Sequence, residues 1–98
     1  NNGLQIDGHC CDVMALEPIV DKWAAFGWHV IDIDGHDMVA VINALDEAET
    51  VKGKPTAIVA RTVKGKGVSF FEGKVKYHGM APTSEELGKA LKELEDNE

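Results

Sequence analysis

The spacing of apolar residues predicts three helices along the chain. In the first, over residues 13–26, apolar side chains recur at steps of four, three and three, at Leu16, Val20, Trp23 and Phe26. Pro18 suits only the first turn of a helix, so we expect the main helix to begin near Glu17 or Pro18. Gly27 can end it in a left-handed conformation, and the last two residues of the stripe are expected in the core.

Two further helices are predicted later in the chain. The second spans about 38–49, and Asp37 immediately before it is the candidate N-cap. Its expected core face carries Met38, Val41, Ile42, Leu45 and Ala48. The third helix opens at Thr83, which has the spacing of a capping box with Glu86. Its apolar stripe consists of Leu87, Ala90, Leu91 and Leu94. Residues 93–98 form an acidic tail that is expected to fray.

Two apolar runs between these helices predict β-strands. Residues 28–33 precede a turn signal, Asp-Gly-His-Asp at 34–37, and residues 56–63 are mostly apolar before Arg61. A nearly continuous apolar run is typical of a strand that is buried on both faces of a parallel sheet. Residues 1–12, which are rich in Gly, Asn and Asp, and residues 68–80 are predicted as loops.

The alternation of helices and strands predicts an α/β fold, namely part of a three-layer parallel sheet with flanking helices and right-handed crossovers. Residues 1–98 have the length of one small domain. Two strands are few for such a sheet. We therefore expect a partial domain, with the neighbouring strands outside this sequence.

Composition excludes several functional classes. The chain carries 17 acidic and 10 basic side chains, which gives a net charge of −7. Proteins that bind nucleic acids or anionic membranes present a basic surface, so this composition argues against both classes. Its apolar runs are too short to span a bilayer, and no signal peptide is apparent. Cys10 and Cys11 are adjacent and provide no disulfide framework, so a reducing, cytoplasmic setting is expected.

Three polar segments are expected beyond the carboxyl ends of the strands, where open parallel sheets bind ligands. They are residues 1–9, the turn at 34–37 and the loop Lys64-Gly65-Lys66-Gly67. Two lysines alternating with glycines suit a phosphate or diphosphate, and the amide and carbonyl oxygens of residues 1–4 suit a hard cation such as Mg²⁺. His78, in the long loop, is an acid–base candidate. Each segment by itself is also compatible with an ordinary surface turn.

Five segments in register resemble the transketolase family. They are NNGLQIDG at 1–8, EPIVDKWAAFGW at 17–28, IDGHD at 33–37, KPTAIVARTVKGKGVSF at 54–70 and HGMAP at 78–82. More narrowly, the chain resembles the carboxyl-terminal part of the amino-terminal, thiamine-diphosphate-binding subunit of a split transketolase. Deoxyxylulose-phosphate synthases share the Gly-His-Asp, Lys-Gly-Lys-Gly and Tyr-His-Gly motifs and are the alternative. The second segment, with DKWAAFGW at 21–28, and LQIDG at 4–8 in the first favour transketolase.

The resemblance implies a role for individual residues. The side chain of Asn2 corresponds to a ligand of Mg²⁺, and the backbone carbonyl of Leu4 corresponds to the next ligand. Ile6 corresponds to a residue that packs on the rings of thiamine diphosphate, Lys64 to a lysine of the cofactor pocket, and His78 to a catalytic histidine near the diphosphate. The implied reaction transfers a two-carbon ketol unit between sugar phosphates, as in the cytoplasmic pentose phosphate pathway.

The sequence lacks the Gly-Asp-Gly half of the family's cofactor motif, which supplies a carboxylate ligand of the metal. The implied partners are therefore the remainder of the thiamine-diphosphate domain and a pyrimidine-binding subunit. We expect thiamine diphosphate and Mg²⁺ to bind in the complete, dimeric enzyme and the isolated chain to be inactive. The other hypothesis is a non-catalytic module that forms homo-oligomers or domain swaps through its unpaired strand edge.

Overall fold

A computed structural model describes residues 1–96 of the chain. The elements in chain order are β1 (Leu4–Gln5), β2 (Gly8–His9), α1 (Cys10–Val13), α2 (Ile19–Ala25), β3 (His29–Asp34), α3 (Met38–Thr50), β4 (Thr56–Arg61), a 3₁₀ helix (Val75–His78) and α4 (Ser84–Asp96). The strands β3 and β4 form a parallel sheet, and β1 and β2 form a separate antiparallel hairpin. This mixed architecture, a small parallel sheet with flanking helices, confirms the predicted α/β class.

The parallel sheet places His29 opposite Thr56 at one end and Asp34 opposite Arg61 at the other. Helix α2 packs against both strands, and α3 packs against β3. The buried apolar side chains are few, namely Ile31, Ala44, Val59, Val68 and Ala90. The expectation that β4 is buried on both faces is wrong for most of the strand, in which Val59 is the buried residue, because the molecule measures only 15 Å in its thinnest direction.

Local capping chemistry sets the helix limits as predicted. Helix α2 begins directly after Pro18, and Gly27 follows its C-cap with a φ of 86°. Asp37 caps α3, because its Oδ1 accepts hydrogen bonds from the backbone N–H groups of Val39 at 2.9 Å and Ala40 at 3.2 Å. These contacts satisfy donors that the first turn of a helix otherwise leaves without partners.

The predictions of loops at 1–12 and 68–80 were incomplete. Residues 1–12 contain the β1–β2 hairpin and the start of α1, and the second segment contains the 3₁₀ helix and the buried Val68. The sequence signals there are glycines and asparagines, which build ordered turns as readily as loops. Residues 93–96 of the expected frayed tail belong to α4, and residues 97–98 lie outside the described residues.

Several apolar faces that were predicted as core are exposed. Phe26 is 83% exposed, Trp23 is 41% exposed and packs edge-to-face on the half-buried Trp28, and Ala44 rather than Ile42 is the buried residue of α3. The other exposed members of the predicted stripes are Leu16, Met38, Leu45, Leu87, Leu91 and Leu94. Within residues 1–96, no helix is both long enough and apolar enough to cross a membrane.

The overall dimensions explain these exposed faces. The molecule measures 51 × 33 × 15 Å, so it is thin in one direction. Its radius of gyration is 16.6 Å, whereas a compact domain of this length has about 13 Å. Its accessible surface is 7032 Å², whereas a compact monomer of this mass exposes roughly 5,500 Å². The surplus surface includes the helix faces whose sequence pattern is typical of a core.

The turn between β3 and α3 approaches the end of β4 so closely that it requires glycine at position 35. A Cβ atom there would lie 2.6 Å from Cγ2 of Thr62 and 3.1 Å from the carbonyl oxygen of Arg61. Gly88, on the exposed side of α4, has no such neighbour within 4 Å. The two glycines therefore form a matched pair for substitution.

We expect Gly35→Ala to lower the free energy of unfolding by about 1–3 kcal/mol, because the turn must move away from β4. Gly88→Ala is expected to raise it by about 0.5–1 kcal/mol, because alanine is the better helix former. Urea denaturation followed by circular dichroism measures both values. Equal effects of the two substitutions would contradict the close approach at position 35.

Candidate functional site

Four of the predicted site residues, Asn2, Leu4, Lys64 and His78, line one small cleft, to which three distant parts of the chain contribute. Asn2 lies before β1, Lys64 follows β4, and His78 is the last residue of the 3₁₀ helix. The other residues that line the cleft are Gln5 and Val75. The cleft thus brings together an amide, an ammonium group and an imidazole. Ile6 lies apart from it, in the turn of the β1–β2 hairpin, and is 65% exposed.

The segment that carries Asn2 is ordered by side-chain hydrogen bonds. Oδ1 of Asn2 accepts from the backbone N–H of Leu4 at 3.0 Å, and Oδ1 of Asn1 accepts from that of Gly3 at 3.1 Å. These two side-chain turns order the residues that lead into β1. An amide oxygen has two lone pairs, so Oδ1 of Asn2 retains one for a second partner such as a cation.

The first residue joins this hairpin to the sheet. The backbone nitrogen of Asn1 donates to the carbonyl of Ala60 at 2.6 Å, and its carbonyl accepts from the N–H of Thr62 at 3.0 Å. Its side chain donates to Glu17 at 3.0 Å. The bond from Ile19 N–H, together with those from Asn1 and Arg61, lowers the pKa of Glu17. The position of Asn2 relative to β4 therefore follows from the hydrogen bonds of its neighbour.

The lysine loop differs from the expected phosphate cradle. The N–H groups of Lys66 and Val68 donate to carbonyls inside the loop, and the N–H of Gly67 donates to Oε1 of Glu72 at 3.1 Å. Lys66 also lies 3.7 Å from Glu72. Because these three amides already have acceptors, they are not free to bind a phosphate oxygen in this structure. The half-buried Lys64 is the cation that faces the cleft.

The turn that carries His78 is anchored by the carboxylate of Glu86. The hydroxyl of Tyr77 donates to Oε1 of Glu86 at 2.8 Å, and Lys76 lies 3.7 Å from the same oxygen. Oε2 of Glu86 accepts from the N–H of Thr83 at 2.9 Å, which confirms the capping box. The Thr83 bond, followed by the Tyr77 bond, lowers the pKa of Glu86.

This anchor was not predicted from the sequence. The capping box identified Glu86, but nothing in the local pattern linked it to a tyrosine nine residues earlier. The ring of Tyr77 also packs edge-to-face on Phe71, with 4.4 Å between ring centroids. His78 itself is exposed, so its position depends on the neighbours of Tyr77.

The third polar segment, at 34–37, lies at a different cavity. Asp34 and His36 line an open cavity of about 540 Å³ at the carboxyl ends of β3 and β4. Across it, Nε of Arg61 lies 3.1 Å from Oδ1 of Asp32, and this contact raises the pKa of Arg61. The structure therefore separates the Gly-His-Asp turn from the cleft of Asn2, Lys64 and His78.

The residues of the cleft fit part of a site for a metal-bound diphosphate. Asn2 and Leu4 offer uncharged oxygen ligands suited to a hard cation, and Lys64 offers a positive charge to phosphate oxygens. The cleft has a volume of only about 20 Å³, whereas pockets for ligands of that size measure roughly 300–1,000 Å³. No carboxylate lines it, and residues 1–96 contain no group of three or more His, Cys, Asp or Glu placed to hold a metal. These residues therefore form one wall of such a site.

Comparison with known proteins agrees with this chemistry. The family model described as transketolase, thiamine diphosphate binding domain, matches residues 1–96. The chain is similar to a 6-deoxy-6-sulfo-D-fructose transketolase subunit of Clostridium sp., with 48% identity over 94 residues that cover 96% of this chain and 34% of that relative. It is also similar to an apulose-4-phosphate transketolase subunit of Phocaeicola vulgatus, with 39% identity over 97% of this chain and 34% of that relative.

Comparison of the fold with solved structures also finds a transketolase. The crystal structure of transketolase from Campylobacter jejuni matches 97% of this chain and 15% of its own, with a TM-score of 0.87 and 30% identity. The chain spans about a third of the length of the two curated subunits.

Substitution of Glu86 tests the anchor of the His78 turn. We expect Glu86→Gln to increase hydrogen exchange at Tyr77 and His78, because the charged acceptor is lost. The matched control is Glu85→Gln, since Glu85 is 79% exposed and pairs with Lys89 one helical turn away. NMR-detected exchange measures both effects, and equal exchange in the two variants would contradict the anchor.

The same contact predicts the effect of acid. The pKa of Glu86 is lowered in the folded chain, so its stabilising effect is fully present above its unfolded pKa, about 4.3, and is lost as the pH falls through the lower folded value. The amide of Tyr77 in the parent chain is therefore expected to exchange its hydrogen faster as the pH falls through this acidic range. The Glu86→Gln variant is expected to lack that step.

Proposed function

This chain belongs to the transketolase family, and from that membership we propose that it forms one wall of the thiamine diphosphate and Mg²⁺ site of a transketolase subunit. The observation that supports the proposal is the meeting of Asn2, Lys64 and His78 at one cleft. These residues lie in three of the five segments that resemble the family. An ordinary surface turn is formed by neighbouring residues, whereas this cleft combines an amide, a cation and an imidazole from residues 2, 64 and 78.

The proposed roles follow from the chemistry of each group. Oδ1 of Asn2 and the carbonyl of Leu4 are two of the ligands of Mg²⁺. The ammonium group of Lys64 neutralises an oxygen of the diphosphate. His78 donates or accepts a proton at the sugar oxygens beside the reacting carbon. When bound, thiamine diphosphate supplies the carbon nucleophile for the making and breaking of the carbon–carbon bond.

Ile6 is proposed to contact the rings of the cofactor. It lies in the hairpin turn, and its side chain is largely exposed. An exposed isoleucine in a hairpin turn can cover one face of an aromatic ring without requiring a hydrogen bond. Covering that ring would remove apolar surface of both groups from water, which stabilises the bound state.

The remainder of the site is proposed to come from other parts of the enzyme. A carboxylate ligand is needed to complete the metal site, and further walls are needed to enclose the cofactor. We place them in the remainder of the thiamine-diphosphate domain and in a pyrimidine-binding partner subunit. The isolated chain is then inactive, and the complete enzyme acts in the cytoplasm.

The substrate class follows from the two similar subunits. Their names specify a sugar with a sulfonate and a sugar with a phosphate. We propose that the complete enzyme transfers a two-carbon ketol unit between sugars that carry such an anionic group. This extends the sugar phosphates implied by the sequence to anionic sugars in general.

Self-association of the isolated chain is a second candidate property. The chain exposes about 1,500 Å² more surface than a compact monomer of its mass. A standard protein–protein interface buries about 1,600 Å² in total. Exposed apolar residues of α3 and α4, such as Ile42 and Leu91, lie on this surface.

The cofactor proposal is tested in a chimaera in which this chain replaces the matching third of the Clostridium sp. subunit, with the partner subunit of that relative present in the assay. We expect the chimaera to bind thiamine diphosphate with Mg²⁺ in calorimetry, and the isolated chain to bind neither detectably at micromolar concentrations. Micromolar binding by the isolated chain would contradict the need for further walls, and a folded chimaera without binding would contradict the cofactor site.

Substitutions in the chimaera separate binding from catalysis. Lys64→Met is expected to raise KM for thiamine diphosphate by about tenfold to 100-fold, because a charge-assisted hydrogen bond contributes about 1.5–3 kcal/mol. His78→Ala is expected to lower kcat by about 100-fold or more with little change in thermal stability. Lys54→Met and His9→Ala are the matched controls, since both residues are exposed and lie outside the cleft.

The second candidate predicts a concentration-dependent mass. Light scattering coupled to size-exclusion chromatography is expected to show dimers or larger species of the isolated chain at high concentration. The double substitution Ile42→Lys and Leu91→Lys is expected to shift the population towards the monomer. A monomeric parent chain at the highest concentration would exclude self-association through these faces.

A further inference from the structure

Just before the lysine loop (residues 64–67), the backbone amide of Val63 is hydrogen-bonded to the side chain of His36. Val63 lies beyond the paired region of β4, where β3 offers no further acceptor. Its N–H group donates instead to Nε2 of His36, with a nitrogen–nitrogen distance of 2.7 Å. Because Nε2 accepts this bond, it carries no proton, and the proton of the neutral ring is on Nδ1.

The turn that presents His36 is itself fixed. Oδ1 of Asp34 accepts from the N–H of His36 at 2.8 Å, and the N–H of Gly35 donates to the carbonyl of Arg61 at 2.8 Å. Gly35 approaches Thr62 so closely that a Cβ would overlap with its methyl group. The imidazole is therefore held against the end of β4 by bonds on both sides of the turn.

The contact reaches the cleft through Lys64, the residue after Val63. The carbonyl of Val63 accepts from the N–H of Lys66 at 3.2 Å, and the carbonyl of Lys64 accepts from the N–H of Gly73 at 2.9 Å. The backbone around Lys64 is thus held by His36 before it and by Gly73 after it. His36 lines the separate cavity at the strand ends, so it can act on the cleft only through this loop.

We propose that His36 is a positioning residue: its neutral imidazole holds the Val63 amide and thereby sets where the ammonium group of Lys64 meets the diphosphate. This inference rests on the proposed function. A doubly protonated ring has no acceptor, so the contact requires neutral imidazole. The charged groups that line the cavity with His36 are Asp32, Asp34, Arg61 and Lys66, and Asp37 follows it in the chain.

The contact is tested in the chain itself by two substitutions of similar length. His36→Gln keeps an acceptor near the position of Nε2, and His36→Met removes it. We expect amide hydrogen exchange at Val63 to become about threefold to tenfold faster in His36→Met and to change by less than about twofold in His36→Gln. The reference amide is Val41, which donates to the Asp37 carbonyl at 3.0 Å.

The positioning role is tested in the chimaera. His36→Met is expected to raise KM for thiamine diphosphate by about threefold to tenfold while kcat at saturating cofactor is unchanged, and His36→Gln is expected to restore the parent value. Unchanged exchange at Val63 in His36→Met would overturn the contact. Faster exchange with an unchanged KM, or equally accelerated exchange at Val41, would overturn the positioning role.

The two proposals fail differently. A parent chimaera that folds but binds no thiamine diphosphate overturns the proposed function and, with it, the role of His36 towards the cofactor. A parent chimaera that binds the cofactor, with no difference between His36→Met and His36→Gln, overturns only the inference about His36.

Discussion

The geometry of the cleft depends on the pair of backbone hydrogen bonds that join Asn1 to β4. The bond from Asn1 to Ala60 and the bond from Thr62 to Asn1 follow the pattern of neighbouring parallel strands. They fix the start of the hairpin beside the end of β4, only three residues before Lys64. The segment of Asn2 and the side chain of Lys64 therefore meet because both follow residues that pair at the same sheet edge.

The small core and the open cleft have one physical cause. Two parallel strands bury little apolar surface, so helix faces with a core-like pattern, such as that of Ile42 and Leu45, are exposed. The same thinness leaves the cleft of Asn2 and His78 with a single wall. A parallel sheet is ordinarily covered on both faces and extended on its edges. The exposed helix faces and the open cleft therefore share one cause, which is the small number of strands in the described sheet.

The hydrogen bonds of the lysine loop change how its sequence is understood. Alternating lysine and glycine predicted a loop that binds phosphate, and the amides of Lys66, Gly67 and Val68 already donate hydrogen bonds to nearby oxygens. The loop is consequently a rigid support for one charged side chain. His36, in a neighbouring turn, holds the backbone just before this loop. The sequence pattern of that turn does not indicate a contact with the loop.

The sequence by itself determined the α/β order, the limits of α3 and α4 within a residue or two, and the family. Pro18, Gly27 and Asp37 act on backbone groups within a few residues, and capping of this kind can be predicted from local pattern. The family followed from five segments whose order and spacing can be compared directly in the sequence. Only the tertiary structure decided which helix faces are buried, which amides of the loop are free, and which contacts join His36 to Val63 and Tyr77 to Glu86. Those outcomes depend on groups that are distant in sequence or on surface covered by other segments, and no local pattern encodes either.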